Sequence, residues 1–240
     1  MATLVFDIET IGFPWESFDI TTQSSLTRWI DRTSATEIEK NQRTSQLKEE
    51  LGFSPLTGEI VALGVYDVER RLGAVYFQGN NDEAFSDGDF TFKSRTEKEM
   101  LEDFWESACS YDVFVTFNGR SFDVPFILHR SIAQGVKPSI ELARKRYLSQ
   151  QTAPYHVDLQ DELTFYGAMY KRPSMHMFCQ AYGIESPKGE VNGEDIAELF
   201  RKKKFRDIAR YNARDVSATT ELYEKWKRNL APHTFLNALM

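Results

Sequence analysis

Residues 3–8, Thr-Leu-Val-Phe-Asp-Ile, form a β-branched, apolar run suited to the middle of a sheet, yet the run contains Asp7 and is followed at once by Glu9. In an extended chain, positions two apart point to one face, so the two carboxylates stand side by side near the strand's end. Flanked by Val5, Phe6 and Ile8, they are partly desolvated. Two anions in such a place repel and raise one another's pKa unless a cation compensates. The triplet alone decides little, because a chain with 36 acidic residues contains several such pairs by chance.

The rest of the chain supplies a sheet for that strand. A polar helical pattern spans roughly residues 23–50, with Leu26, Trp29, Ile30 and Ile38 as inward positions and Gly52 as its stop. A turn at residues 54–58 opens a strand over 59–66, which a short hairpin at 69–71 joins to another over 73–78. Residues 80–88 are acidic and turn-rich, a loop or an edge excursion. Thr96 with Glu99 three residues on reads as a capping box opening a helix to about Ser107. A buried strand over 111–117 ends at the Asn118-Gly119 turn. The helix that follows, near 124–134, tolerates Pro125 in its first turn and ends at Gly135. A strand over 155–159 precedes helices near 174–182, 193–203 and 205–228. This order predicts an α/β fold, a mixed sheet flanked by helices, in one domain over residues 1–240 with 14–52 as a helical insertion or lid.

Composition narrows the function. Hydrophobic residues make up 41% and charged residues 27%, which supports a packed core. The N-terminal run is too short for a signal peptide, and no stretch approaches the ~20 apolar residues of a membrane span. Cys109 and Cys179 fall in helical patterns without a neighbouring Cys or His at zinc-ligand spacing. They read as core thiols, and the cytoplasm is the expected compartment. A net charge of −7 weighs against coating nucleic acid by bulk electrostatics. The basic clusters Arg144-Lys145-Arg146 and Lys202-Lys203-Lys204, with Arg206, Arg210 and Arg214 beyond, are ordinarily solvated helix faces and less often phosphate contacts.

Two further segments carry acid side chains to places where chemistry is possible. Asp123 follows the Asn118-Gly119 turn at the start of a helix, where a lone Asp more often only caps backbone N–H groups. Tyr211 and Asp215, four apart on a helix, share one face. A surface Asp beside a half-buried Tyr is the bland alternative.

Together, Asp7-x-Glu9, Asn118-x3-Phe122-Asp123 and Tyr211-x3-Asp215 occur in the order of the three exonuclease motifs of the DEDD superfamily. The set resembles the tyrosine-bearing branch, and is most similar to stand-alone proteins related to the proofreading domain of family B DNA polymerases. Arg210 stands where the histidine branch would carry its His. The resemblance covers about three quarters of the chain; residues 14–52 depart from it. It implies a ribonuclease H-like fold and two divalent ions, Mg²⁺ or Mn²⁺, held by Asp7, Glu9, Asp123 and Asp215. By the same analogy Asp7 bridges the ions, Glu9 and Asp215 complete the first, and Asp123 supports the second through water. Tyr211, whose unperturbed pKa is ~10, is a poor base at neutral pH and would orient the attacking water. The substrate implied is DNA or RNA with a free 3′ end. Ile8 (through its backbone) and Thr10 lie where the family holds the terminal nucleotide. Asn118 either bonds substrate or only forms the turn, and Phe122 either stacks on a base or packs in the core. A catalytically silent nucleic-acid-binding or partner module of the same fold is the competing reading.

Overall fold

The computed structural model describes residues 1–80, 83–143, 145–187 and 195–238. Its centre is a seven-stranded mixed sheet in the order β4-β5-β3-β2-β1-β6-β7. The strands are β1 (Thr3–Gly12), β2 (Gly58–Asp67), β3 (Leu72–Phe77), β4 (Ala84–Asp87), β5 (Phe90–Ser94), β6 (Val113–Thr116) and β7 (Tyr155–Asp158). β1, β2 and β3 run as an antiparallel meander, while β6 and β7 continue from β1 in parallel. Helices cover both faces, the ribonuclease H-like arrangement expected from the motif order. α3 (Glu97–Ala108) and α4 (Asp123–Gln134) lie on one face. α5 (Leu159–Leu163), α6 (Met175–Tyr182), α7 (Ile196–Arg201) and the long α8 (Phe205–Asn229) lie on the other. A short α9 (His233–Ala238) follows.

The alternation of β1 sorts its residues between two cores. Leu4, Phe6 and Ile8 pack with α3 and α4, whereas Val5 and Ile11 face α8. Asp7 and Glu9 share the parity of Val5 and therefore look toward α8. A bulge, in which Glu9 pairs with Ala62 and Thr10 with Ile60, ends this regular stretch beside the acidic pair. On its other edge β1 outruns its neighbour, because pairing with β6 stops at Val5↔Val115. The exposed ladder edge beyond Val5 is where α4 enters.

Several elements form as the sequence demands. The Thr96–Glu99 capping box is present in full and opens α3. Gly135 closes α4 in the left-handed region at φ 67°, which only glycine adopts without cost. Glu97, in the first turn of α3, accepts from the backbone N–H of Ile60 and from Nε and Nη2 of Arg130 on α4. This buried pair, with the Arg130 guanidinium over the Phe13 ring at 5.1 Å, pins α4 against β2 and so fixes its N-terminus.

Elsewhere the structure corrects the expectations. The 23–50 pattern is two helices, α1 (Ile20–Thr33) and α2 (Glu37–Glu50), because Thr36 caps a fresh start by accepting from Glu39 N–H. Of the four inward positions expected there, Ile30 is buried and Leu26 half-buried, whereas Trp29 and Ile38 are left exposed by the described residues. The stop at Gly52 is a 3-10 turn over Leu51–Phe53 that docks the hairpin on β1. Residues 80–88 hold the edge strand β4, and β5, which sequence reading passed over, pairs with both β3 and β4. Cys109 is exposed at the end of α3 rather than in a core; Cys179 is buried. Arg144 and residues 193 and 194, within segments expected to be a basic cluster and a helix, lie outside the described residues. The other basic side chains are largely paired: Arg146 with Asp161, Lys202 with Glu198, Arg206 with Glu83 and Arg210 with Asp87. They form solvated faces.

α8 can lie close over the acidic pair because Gly64 sits opposite Asp7 in the β2 register. A Cβ built there would come within 2.2 Å of Asn212 Oδ1 and 2.9 Å of Val216 Cγ2. Gly64→Ala should therefore lower stability by about 1–3 kcal/mol through overpacking. Thermal denaturation checks this, and an unchanged Tm would contradict the close approach.

Candidate active site

Three separate stretches of chain deliver carboxylates to one place. β1 presents Asp7 and Glu9. Asp215 comes down from α8, and ligand oxygens of Asp7, Glu9 and Asp215 lie within 4.8 Å of one another. Asp123 arrives from the far side as the first residue of α4. Its Oδ1 accepts the Ile8 backbone N–H at 3.1 Å, on the ladder edge left open by β6. It therefore reaches across to β1 instead of only capping its own helix. Glu9, Asp123 and Asp215 are buried, and Asp7 keeps partial exposure.

The electrostatics are adverse without cations. Burial, then Asp123, Glu9 and Asp215, hold the Asp7 carboxyl well above the ordinary carboxylate range. Burial, then Asp215 and Asp123, do the same to Glu9. Burial pushes Asp123 up to about 7 against the help of backbone N–H donors, its own and that of Ile8. Among the described residues, no Lys or Arg offsets Asp7, Glu9 or Asp123. Asn212 donates to Asp7, its Nδ2 reaching Asp7 Oδ2 at 2.8 Å, while its buried Oδ1 finds no partner among the described residues. Together with Asp215 these carboxylates offer only hard oxygen donors, a set that fits divalent ions such as Mg²⁺ or Mn²⁺.

Tyr211 stands one helical turn before Asp215, and its hydroxyl and the Asp215 carboxylate are hydrogen-bonded. Burial and the adjacent Asp215, Glu9 and Asp7 push the phenol far above its usual value, so it stays a neutral O–H donor. The other expected contacts are more engaged within the protein. Ile8 offers backbone only, since its side chain is in the core. The Thr10 hydroxyl donates to Gly52 O at 2.7 Å, tying the helical hairpin to the site's rim. Asn118 is a left-handed turn residue (φ 65°) whose N–H goes to Asp158 and whose Oδ1 accepts from Arg172. Phe122 is half-buried against Phe126, with ring centroids 5.5 Å apart.

Sequence reading missed three participants. Asn212 was only a spacer within the Tyr-x3-Asp motif; its place three residues before Asp215 on the same helix face was the available signal. Gly64 gave no local sign. Asp158, at the end of β7, organises the loop before Asp123 by accepting the N–H groups of Asn118 and Arg120 at 3.0 and 2.9 Å.

Comparison with known proteins bears on this arrangement. Residues 69–232 match the model of a family described as a predicted 3′–5′ exonuclease related to the exonuclease domain of PolB. The chain belongs to this family. The matched span contains Asp123, Tyr211 and Asp215; Asp7 and Glu9 join them through the sheet. An uncharacterized protein of Methanocaldococcus jannaschii is 28% identical over 186 residues, 73% of this chain and 90% of that protein. DNA polymerase 1 of Saccharolobus solfataricus is 27% identical over 145 residues, 57% of this chain. DNA polymerase 1 of Sulfurisphaera ohwakuensis is 26% identical over 140 residues, 55% of this chain. The chain spans 16% and 15% of those two polymerases. The family B DNA polymerase of Pyrobaculum calidifontis shares the fold, with a TM-score of 0.58 over 94% of this chain and 24% of that one, at 19% identity. Membership in this exonuclease family and the clustered acids make the chain a hydrolase with a site suited to divalent metal. No helix among the described residues is long and apolar enough to cross a membrane.

The raised carboxylates set a pH dependence. Folded Asp7, Glu9 and Asp123 hold protons that the unfolded chain has released above about pH 4, so metal-free stability falls as pH rises toward 7. The slope is up to about 1.4 kcal/mol per pH unit for each such group. Tm in EDTA should decline over that window. Mn²⁺ or Mg²⁺ should raise Tm at pH 7.5 and do so much less at pH 5, where protons compete with the ions. Differential scanning fluorimetry across pH checks both; a metal effect independent of pH would contradict the assignment.

Proposed function

We propose that the protein is a metal-dependent 3′–5′ exonuclease that removes nucleoside 5′-monophosphates from single-stranded 3′ ends of DNA or RNA. The observation that carries this reading is the convergence of Asp7, Glu9, Asp123 and Asp215 beside a neutral phenol. Two bound divalent ions, Mg²⁺ or Mn²⁺, would cancel the carboxylate charge and stabilise the attacking and leaving oxygens of an in-line displacement. The protein's own groups do the positioning. Asp7, Glu9 and Asp215, whose oxygens cluster, would hold divalent metal, and Asp123, held beside them by the Ile8 N–H, would complete the ligand set.

Tyr211 orients the attacking water. A phenol with an ordinary pKa of ~10 is a poor base at neutral pH, and the Tyr211 hydroxyl lies beside Asp215, placed to hydrogen-bond that water. Asn212 keeps Asp7 in place through its amide. The backbone at Ile8, with Thr10, Asn118 and Phe122 around it, would hold the terminal nucleotide, Phe122 by the exposed part of its ring. The hairpin over residues 14–52 acts as a side wall rather than a free lid, because Thr10 and Thr57 hydroxyls bond to Gly52 O and Leu51 O. The chain's free thiols suit a reducing compartment, the cytoplasm.

A 5′-labelled single-stranded oligonucleotide, as DNA and as RNA, tests the reading with Mg²⁺, Mn²⁺ or EDTA. A ladder shortening from the 3′ end should appear only with metal, and a circular or 3′-blocked substrate should persist. Asp7→Ala and Asp215→Ala should abolish cleavage, and Tyr211→Phe should slow it about 10²-fold. Full activity in Asp215→Ala, or cleavage of circles, would contradict the proposal. Metal-dependent binding without any cleavage would instead favour a silent nucleic-acid-binding module.

A further inference from the structure

The loop joining α5 to α6 carries side chains that no part of the carboxylate site uses. Phe165 is 60% exposed and Tyr170 is 98% exposed, and neither ring covers the core. Exposed aromatics on a slack loop would mean little. This loop is built. Phe165, Tyr166 and Gly167 are successive residues in the left-handed region, at φ 51°, 56° and 93°. Aromatic residues seldom adopt it, and the surroundings must over-determine such a backbone. Here Tyr166 is the anchor. Its hydroxyl donates to Glu162 and accepts from Leu148 N–H, its N–H bonds Asp161 O at 2.7 Å, and its ring packs on Tyr147. With Tyr166 turned inward, Phe165 is projected to solvent.

The loop also has a direction and a charge. Arg172 Nη2 donates to Asn118 Oδ1 at 2.9 Å, which ties its far end to the turn that precedes Asp123. Gln160 Nε2 donates to Pro173 O and closes the loop's base. Residues 164–172 contain no acid, in a chain whose net charge is −7. The loop exposes the flat rings of Phe165 and Tyr170, with Met169 between them in sequence, beside Lys171 and Arg172, which form no ion pair among the described residues. Rings and cations together match a polyanion with flat bases.

We propose that residues 164–172 form a stacking platform for single-stranded nucleic acid, taking bases upstream of the terminal nucleotide while Lys171 and Arg172 meet the phosphates. The inference rests on the exonuclease reading for where the strand ends, and on the loop itself for how the strand is held. Both rings are exposed, so truncating them leaves the core intact.

The test uses the full chain with Phe165→Ala and Tyr170→Ala combined. Fluorescence anisotropy with labelled oligothymidylate and oligouridylate, in Ca²⁺, gives Kd in two arms that separate DNA from RNA. Hydrolysis of the oligonucleotide and of thymidine 5′-p-nitrophenyl phosphate, with Mn²⁺, gives a preference for strand over small ester. The double variant should raise Kd about tenfold or more in at least one arm, and that preference should fall by a similar factor. Tyr170→Trp should retain wild-type affinity. Lys171→Ala with Arg172→Ala should flatten the salt dependence of log K by up to about 0.7 per lost contact. An unchanged Kd in both arms, or equal losses on oligonucleotide and ester, would overturn the platform. Ring-dependent binding by a protein that cleaves neither substrate would support the platform and contradict the exonuclease.

Discussion

Mutual repulsion among buried carboxylates is the constraint on which the structure turns. Asp7 and Glu9 cannot separate, because a strand fixes both on one face. Asp215 is delivered to them by a helix laid across the sheet, and Asp123 by a helix entering at the sheet's open edge. Each placement removes water from the others, and burial is the largest cause of every raised pKa among Asp7, Glu9 and Asp123. Among the described residues no lysine or arginine is ion-paired with Asp7, Glu9 or Asp123, and the arrangement makes physical sense as a cation site.

The scaffold around the site is arranged to bear that strain. Gly64 lets α8 approach, and Asn212 donates its side-chain amide to Asp7. The buried Glu97–Arg130 pair holds α4 so that Asp123 meets Ile8 N–H. Asp158 gathers the loop that leads into α4. These residues touch no reacting atom in the proposed reaction, yet each sets where a ligand oxygen lies. Breaking the Glu97–Arg130 pair would leave an uncompensated buried charge, which costs about 3–5 kcal/mol.

How much of this was legible in the sequence follows from the range of each interaction. Asp7 and Glu9 on one face, Tyr211 above Asp215, the Thr96 capping box and the Gly135 helix end are local, and local periodicity reads them. The resemblance of three spaced motifs then grouped segments that periodicity could not. What stayed hidden depends on contacts between distant positions. Gly64 matters because Asn212, far along the chain, needs the room its missing side chain leaves. β4 and β5 are strands of only four and five residues around Gly88; β5 does alternate, with Phe90 and Phe92 inward, but over too few residues to stand out from the turn-rich segment before it. Trp29 and Ile38 follow a helical apolar pattern and remain exposed, because pattern records capacity for burial and not the presence of a partner. The break at Ser34–Thr36 lies where α2 carries almost no apolar stripe for periodicity to read; the local signal was the Thr36-x-x-Glu39 cap.

Direct location of the cations tests the account at its centre. Crystals of the full chain soaked in Mn²⁺ and measured above and below the manganese absorption edge give an anomalous difference map. The account predicts a peak about 2.1 Å from carboxylate oxygens of Asp7, Glu9 and Asp215, with a second close to Asp123 when a 3′-terminated strand is bound. A saturated crystal with no peak among these four side chains, or with manganese only elsewhere, would contradict it.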